Sequence, residues 1–224
     1  MSDATTGGRL RERPCVLFDF DGTLADTKPG IIATATKVLR EWGMTDEEIG
    51  DPGRLIGPPF PRAYTMIYGV SEADADELCR RYRAEYAKLG REAYGLFDGI
   101  ESLLRDLRRQ GRRLAVASSK REDFVKRMLF EDGVADAFDA VIAQIDPARA
   151  DKASLISDAL VALGCSPAAA VMVGDRSYDV EGARANGVPC IGVLFGTATR
   201  RELEDAGAAA IVTSVAELRR VLLG

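Results

Sequence analysis

Asp19 and Asp21 flank Phe20 at the end of an apolar run, directly before Gly22, Thr23 and Leu24. Alternation along a strand sends both carboxylates in one general direction while Phe20 turns toward a core. Carboxylates this close repel each other, so either one keeps a proton or a cation neutralises the pair. A hard, oxygen-seeking ion such as Mg²⁺ is suited to that task. Gly22 permits a tight turn, which would leave backbone N–H groups free to receive an anion. A second acidic turn follows far downstream, Gly174-Asp175-Arg176-Ser177-Tyr178-Asp179, where an apolar run meets a helical pattern. Between them lie Ser118-Ser119-Lys120, with two hydroxyls and a cation, and Asp151-Lys152 at the start of another helical stretch. Each has an ordinary explanation in isolation. Asp-Gly ends many strands, serines and Asp151 can cap helices, and a lone lysine faces solvent. Gathered at successive strand ends, they make an acidic metal cage ringed by hydroxyl and ammonium donors, which suits a substrate bearing phosphate.

Composition removes the main competitors. None of the 224 residues is histidine, so Ser-His-Asp and Cys-His catalysis and His-ligated metals are excluded. The 35 acids against 30 bases give a net charge of -5, which argues against a nucleic-acid polymer as partner. No apolar run is long enough to span a bilayer, and the polar first fourteen residues lack a hydrophobic segment, so neither a membrane partner nor a signal peptide is expected. The cysteines at 15, 79, 165 and 190 show no C-x-x-C spacing. Cys15 and Cys190 read as small buried thiols, neither a zinc site nor a disulfide framework is expected, and a reducing cytoplasm is the simplest location.

The elements that must position these groups can be read from periodicity. Short apolar runs at 15–20, 113–118, 170–174 and 190–194, and a less distinct one at 139–144, read as strands. They alternate with helical patterns at 99–110, 121–131, 151–163 and 177–186. That alternation predicts an α/β fold, a doubly wound parallel sheet covered on both faces, whose strand C-termini carry the ligand site. Residues 28–92 break the alternation with helical patterns at 29–42, 61–68 and 71–89 around an irregular Pro/Gly-rich loop at 51–61. The expected division is therefore a core of 14–27 and 93–224 with a helical insertion, 28–92, after the first strand, and a frayed tail at 1–13. Tyr64, Tyr68, Tyr82 and Tyr86 keep helical spacing and read as packing or helix-surface residues, and Asp98-Gly99 as the cap of the helix that re-enters the core.

DFDGTL at 19–24, Ser118, Lys152 and GDRSYD at 174–179 stand in the order shown by the haloacid dehalogenase-like (HAD) phosphatases, and the chain resembles that family over roughly 14–222. The resemblance implies an HAD-type phosphoric monoester hydrolase with a Rossmann-like core, in which 28–92 is the helical cap. It implies that Asp19 is the nucleophile that becomes an aspartyl phosphate, and that Asp21 protonates the leaving oxygen and then serves as base. It further implies Mg²⁺ held by Asp19, the Asp21 carbonyl and Asp175, and Lys152 offsetting charge. Asp179 would bind a metal water or hold Lys152. Phosphate would be received at Gly22, Thr23, Ser118 and Ser119, with either serine as its main hydroxyl ligand. Asp21 favours phosphate over carbon–halogen chemistry, because the dehalogenases themselves generally lack an acid there. Ile56-Gly57-Pro58-Pro59 resembles the cap loop of the phosphoglycolate phosphatase-like and 5'-nucleotidase-like branch, which points to a small phosphorylated metabolite as partner and places Phe60 or Arg62 at the leaving group. A monomer or homodimer is expected. A sugar phosphomutase of the same family and a non-catalytic HAD-fold binding module are the alternatives. A phosphonate hydrolase would need an imine-forming cap lysine, for which there is no candidate.

Overall fold

In a computed structural model, described for residues 10–145 and 151–224, the apolar runs become one parallel six-stranded sheet. The strands are β1 (Cys15–Phe18), β2 (Arg113–Arg121), β3 (Ala140–Gln144), β4 (Ala170–Gly174), β5 (Cys190–Val193) and β6 (Ala210–Val212). Their order across the sheet is β3-β2-β1-β4-β5-β6. The chain begins in the middle, builds outward through β2 and β3, then returns to the other side of β1 for β4. That reversal opens a crevice at the carboxyl ends of β1 and β4, the place where such sheets bind ligands.

Strand alternation divides the core into two layers. Val16 and Phe18 of β1 join one apolar cluster, and Cys15 and Leu17 join the other. The first layer is covered by α5 (Ile100–Arg109), α6 (Glu122–Glu131) and α10 (Val215–Leu223), and the second by α7 (Lys152–Ala162), α8 (Ser177–Ala185) and α9 (Arg200–Ala206). Helix α5 shows why these segments are helical. Ile100, Leu103, Leu104 and Leu107 recur at helical spacing and are buried, while Glu101, Arg105, Arg108 and Arg109 are exposed. Each such apolar side chain contributes about 1.5–3 kcal/mol on burial.

Between β1 and α5 lie four α-helices: α1 (Lys28–Glu41), α2 (Asp46–Ile49), α3 (Arg62–Tyr68) and α4 (Glu72–Tyr86). Thr45 and Glu48 form a capping box at α2, and the Ser71 hydroxyl accepts from Asp74 N at α4. The two strands of chain entering and leaving this block run side by side. Asp26 N donates to Gly95 O at 2.8 Å and Phe97 N to Leu24 O at 3.0 Å.

The structure corrects several expectations. Strand β1 stops at Phe18 because Phe20 O turns inward to accept from Thr23, Leu24 and Ala25 N. Strand β2 runs on to Arg121 through a register shift between Ser118 and Arg121, and β6 had no distinct signal because it is only three residues long. The loop at 51–61 contains a 3₁₀ turn, Pro52–Leu55, whose first turn is capped when Asp51 accepts from Gly53 N. Residues 10–13 are anchored rather than frayed. Leu10 is buried, and Arg13 donates to the carbonyls of Pro167, Ala168 and Ala170; the rest of the expected tail, 1–9, lies outside the described residues. Of the pair Asp98-Gly99 expected to cap α5, Gly99 occupies the cap position, without a side-chain hydrogen bond. Cys15 and Cys165 form a disulfide across 150 residues of sequence, with Cα atoms 6.8 Å apart. Spacing could not reveal it, because only the fold brings the start of β1 beside the turn that follows α7. Cys190 and Cys79 are free and buried. Among the described residues, no helix is long and apolar enough to cross a membrane.

Candidate active site

The carboxyl ends of β1, β2 and β4 and the first turn of α7 bring Asp19, Asp21, Ser118, Ser119, Lys152 and Asp175 to one cavity. Asp19 follows β1 directly, and its N–H donates to Val173 O of β4 at 2.9 Å, so the sheet ladder fixes its backbone. Lys152 stands at the start of α7, which Asp151 caps by accepting from Ser154 N. The Lys152 ammonium is buried, 2.9 Å from Asp19 Oδ1 and 2.9 Å from Asp179 Oδ1, and it donates to Ala117 O at 3.0 Å. Burial alone would depress this ammonium, yet Asp179 and Asp19 hold it well above the usual lysine range. Asp179 Oδ2 accepts from Arg176 N, so Asp179 is occupied in holding Lys152 and the turn after β4.

Asp19, Asp175 and Asp179 are buried and offer carboxylate oxygens within 4.8 Å of one another. Burial, with Asp179 and Asp21 adding to it and Lys152 opposing it, lifts Asp19 to about 6. Burial and the charges of Asp179 and Asp19 lift Asp175 to about 8. Asp175 Oδ2 accepts from Thr197 N and Oγ1 at 2.8 and 2.7 Å, whereas its Oδ1 is buried without a hydrogen-bond partner. Crowded buried carboxylates with an orphaned oxygen are the donor set a hard divalent cation requires, and the residues present fit Mg²⁺. The Asp21 carboxylate stands apart from this cluster. Gly22 takes φ +74°, and a Cβ there would lie 2.2 Å from Asp175 Oδ2, so the two acidic turns meet at a residue that must lack a side chain.

The expected anion cradle is different in detail. Gly22 N donates to Ala25 O and Thr23 N to Phe20 O, so neither N–H is free for phosphate, and neither residue lines the cavity. The turn spends these donors on closing itself. Among the described residues, the N–H groups of Phe20 and Asp21 make no backbone hydrogen bond. Ser118 is buried and Ser119 half-buried, both in the cavity wall. Neither caps the next helix, whose cap position is held by Arg121.

Lys120 lies deeper than its place in the sequence suggests. Its ammonium donates to Asp21 Oδ1 at 2.9 Å and to the Tyr86 hydroxyl at 3.0 Å, linking the acid after β1 to helix α4. Burial opposes the charge, but Asp21 and Tyr86 hold it up at about 12. Overhead, Ile56, Gly57, Pro58 and Phe60 close the cavity; Arg62 is exposed on α3 and is not part of the wall. Arg176 ties this loop down by donating to Ile56 O, while its Nε donates to Glu202 at 2.9 Å. Gly57 has φ +108° and would place a Cβ 2.8 Å from Arg176 Nη1.

Sequence reasoning missed Arg83, Gln144 and Thr197, named Arg176 only as part of the second acidic turn, and gave Lys120 no specific partner. Only Arg83 had a local signal, a charged residue within the apolar helical spacing of Cys79, Tyr82 and Tyr86. The tyrosines pack as expected: Tyr64, Tyr82 and Tyr86 are buried, and Tyr82 stacks on Tyr86.

Residues 16–193 match the family described as haloacid dehalogenase-like hydrolase. The chain is 38% identical over 211 residues to the tyrosine-protein kinase PtkA of Mycobacterium tuberculosis, covering 92% of this chain and 72% of that protein. It is 34% identical over 210 residues to a 5'-nucleotidase of Pseudomonas aeruginosa, covering 93% and 95% respectively. A crystal structure of a predicted phosphatase from Clostridium acetobutylicum superposes with a TM-score of 0.89 at 35% identity, covering 94% of this chain and 98% of that one.

Proposed function

The chain belongs to the haloacid dehalogenase-like hydrolase family and is a phosphoric monoester hydrolase; we propose that it cleaves a small phosphomonoester through a phosphoryl group held transiently on Asp19. The observation that carries this reading is the placement of Asp19 in the cavity wall with its charge held by a buried lysine, beside a second acid, Asp21, and a buried hydroxyl, Ser118.

An Asp19 carboxylate oxygen attacks phosphorus, and the bond from phosphorus to the leaving oxygen breaks. The leaving oxygen takes a proton from the Asp21 carboxyl. Water then attacks phosphorus of the aspartyl phosphate, Asp21 takes the water proton, and the bond to Asp19 breaks to release phosphate. Lys152 keeps Asp19 oriented throughout and offsets charge on the transferring group. Ser118, with the N–H groups of Phe20 and Asp21, receives the phosphoryl oxygens. Lys120 orients Asp21. Asp19, Asp175 and the Asp21 carbonyl would hold Mg²⁺, with Asp179 steadying Lys152. When bound, the ion supplies positive charge against the acids and the phosphoryl oxygens.

The block 28–92 acts as a cap over the core of 14–27 and 93–224. The paired segments at 26 and 95 serve as its neck, and Arg176 and Lys120 register its closed position, which excludes water from the phosphoryl enzyme. Phosphoglycolate and nucleoside 5'-monophosphates are the substrate classes in view, with Phe60 against the leaving group. The test is phosphate release with Mg²⁺ from nucleotides, sugar phosphates and phosphoglycolate, run beside Asp19→Asn. Release by the wild-type protein and none by the variant is expected. Isomerisation of a sugar phosphate without phosphate release would instead identify a mutase.

A further inference from the structure

Four cations line the cavity: Arg83, Lys120, Arg121 and Lys152. Three of them are matched by carboxylates. Lys120 pairs with Asp21 at 2.9 Å, Arg121 with Asp123 at 2.6 Å, and Lys152 with Asp19 and Asp179 at 2.9 Å. Arg83 is the exception. Among the described residues it has no carboxylate partner, and Nη2 donates only to the neutral amide oxygen of Gln144, at 3.0 Å.

The arrangement around Arg83 is a rigid one. Gln144 ends β3 and is buried, and its Nε2 donates to Phe60 O at 3.0 Å. The amide is thereby locked between the cap loop and Arg83, and its oxygen aims the guanidinium without neutralising it. Phe60 and Tyr82, in edge contact at 5.0 Å, stand beside Arg83 in the same wall. An ion pair formed against such rings is screened less than one in open water. Arg83 also reaches the adjoining cleft between α4 and the start of α6, which Arg80 and Arg121 border together with Asp76 and Asp123. A half-buried, aimed and unmatched guanidinium in a substrate cavity is a receptor for an oxyanion, for which its planar donors are suited.

Resting on the phosphatase reading of this cavity, we propose that Arg83 binds an anionic group carried on the leaving moiety, so that the preferred substrates are phosphomonoesters bearing a second oxyanion. Arg83 sets specificity at the end of the cavity away from phosphorus, and Gln144 positions it. The sequence had suggested an arginine for such a role at Arg62; the fold places Arg62 outside the cavity and Arg83 within it. A carboxylate and a second phosphate share the required chemistry.

The experiment compares kcat/KM for phosphomonoesters ending in a carboxylate with those for their isosteric amides, at two- and three-carbon spacing. A bisphosphate of matched length forms a further arm, and p-nitrophenyl phosphate with Asp19→Asn reports whether hydrolysis occurs at Asp19 at all. The wild-type protein is expected to favour the acid over the amide, or the bisphosphate over its monophosphate. The stronger of the two preferences names the anion. Arg83→Gln is expected to lower that ratio about 10–100-fold, the loss associated with one charged hydrogen-bonded contact, and Arg83→Lys to retain part of it. Gln144→Glu, which keeps the arginine but supplies it with a carboxylate, is expected to abolish the preference too. Asp19-dependent hydrolysis without any such preference, or a ratio unchanged in both Arg83→Gln and Gln144→Glu, overturns the inference and leaves the phosphatase reading standing. Absence of Asp19-dependent hydrolysis of every ester overturns both.

Discussion

Replacing Asp175 with asparagine should stabilise the metal-free protein while removing its response to Mg²⁺. Asp175 is fully buried, and its Oδ2 accepts two hydrogen bonds from Thr197 that an asparagine oxygen can also accept. Its other oxygen has no partner, and burial beside Asp179 and Asp19 lifts the carboxyl from 3.8 to about 8. The folded state then keeps a proton that the unfolded chain has already lost. The stability this acid permits is complete below 3.8 and is lost as pH rises toward about 8. At about 1.4 kcal/mol per pH unit, the loss by pH 7 is at most about 4 kcal/mol. Proton sharing among the three acids and entry of water bring the expected effect to about 1–3 kcal/mol. The substituted amide cannot ionise, so in EDTA the Asp175→Asn variant should resist urea better than the wild-type protein near pH 7, with the difference closing near pH 4. Mg²⁺ binds only the folded state and should stabilise the wild-type protein by linkage, reversing the order. Urea unfolding followed by circular dichroism, with EDTA and with Mg²⁺ at both pH values, checks each part. A variant less stable than wild type in EDTA near pH 7, or one that gains as much from Mg²⁺, would refute the reasoning.

Two further changes test the contacts around the cavity. Lys120→Met leaves Asp21 and the Tyr86 hydroxyl without their shared partner. Because the Asp21 side chain is 19% exposed, the loss of stability should fall toward the lower end of the roughly 3–5 kcal/mol typical of a broken buried pair, with kcat falling alongside; an unchanged urea midpoint and kcat would remove Lys120 from its orienting role. Tyr64→Phe deletes a hydroxyl that is buried with no hydrogen-bond partner, so it should raise stability by about 1 kcal/mol. A lower midpoint on thermal unfolding would mean that the hydroxyl is bonded in solution.

The chemistry of the site is local in sequence to an unusual degree. The absence of histidine, the Asp19-Phe20-Asp21-Gly22 spacing and the Gly174–Asp179 turn can each be read within a few residues or from composition alone. Strand ends follow from where apolar alternation stops, so the fold class and the set of acids could be read without coordinates. The backbone cradle could not. Whether an N–H at Gly22 or Phe20 stays free depends on how the turn closes, and composition is silent on that. The same limit hid β6, whose three residues carry too little periodicity to distinguish them from the surrounding alanines.

The sequence alone pointed to a substrate bearing phosphate, and its resemblance to the HAD phosphatases to hydrolysis, because both depend on which side chains stand near strand ends, and local patterning places those ends to within a few residues. Only the tertiary structure decided the partners of those side chains. Lys120 meets Asp21 across 99 residues, Arg83 meets Gln144 across 61, and Cys15 meets Cys165 across 150. Such contacts depend on how helices and strands pack in three dimensions, and no pattern along the chain encodes which distant residue will arrive. The arginine that stands in the cavity wall is for that reason Arg83 rather than Arg62, since the fold turns Arg83 into the wall and leaves Arg62 exposed on α3.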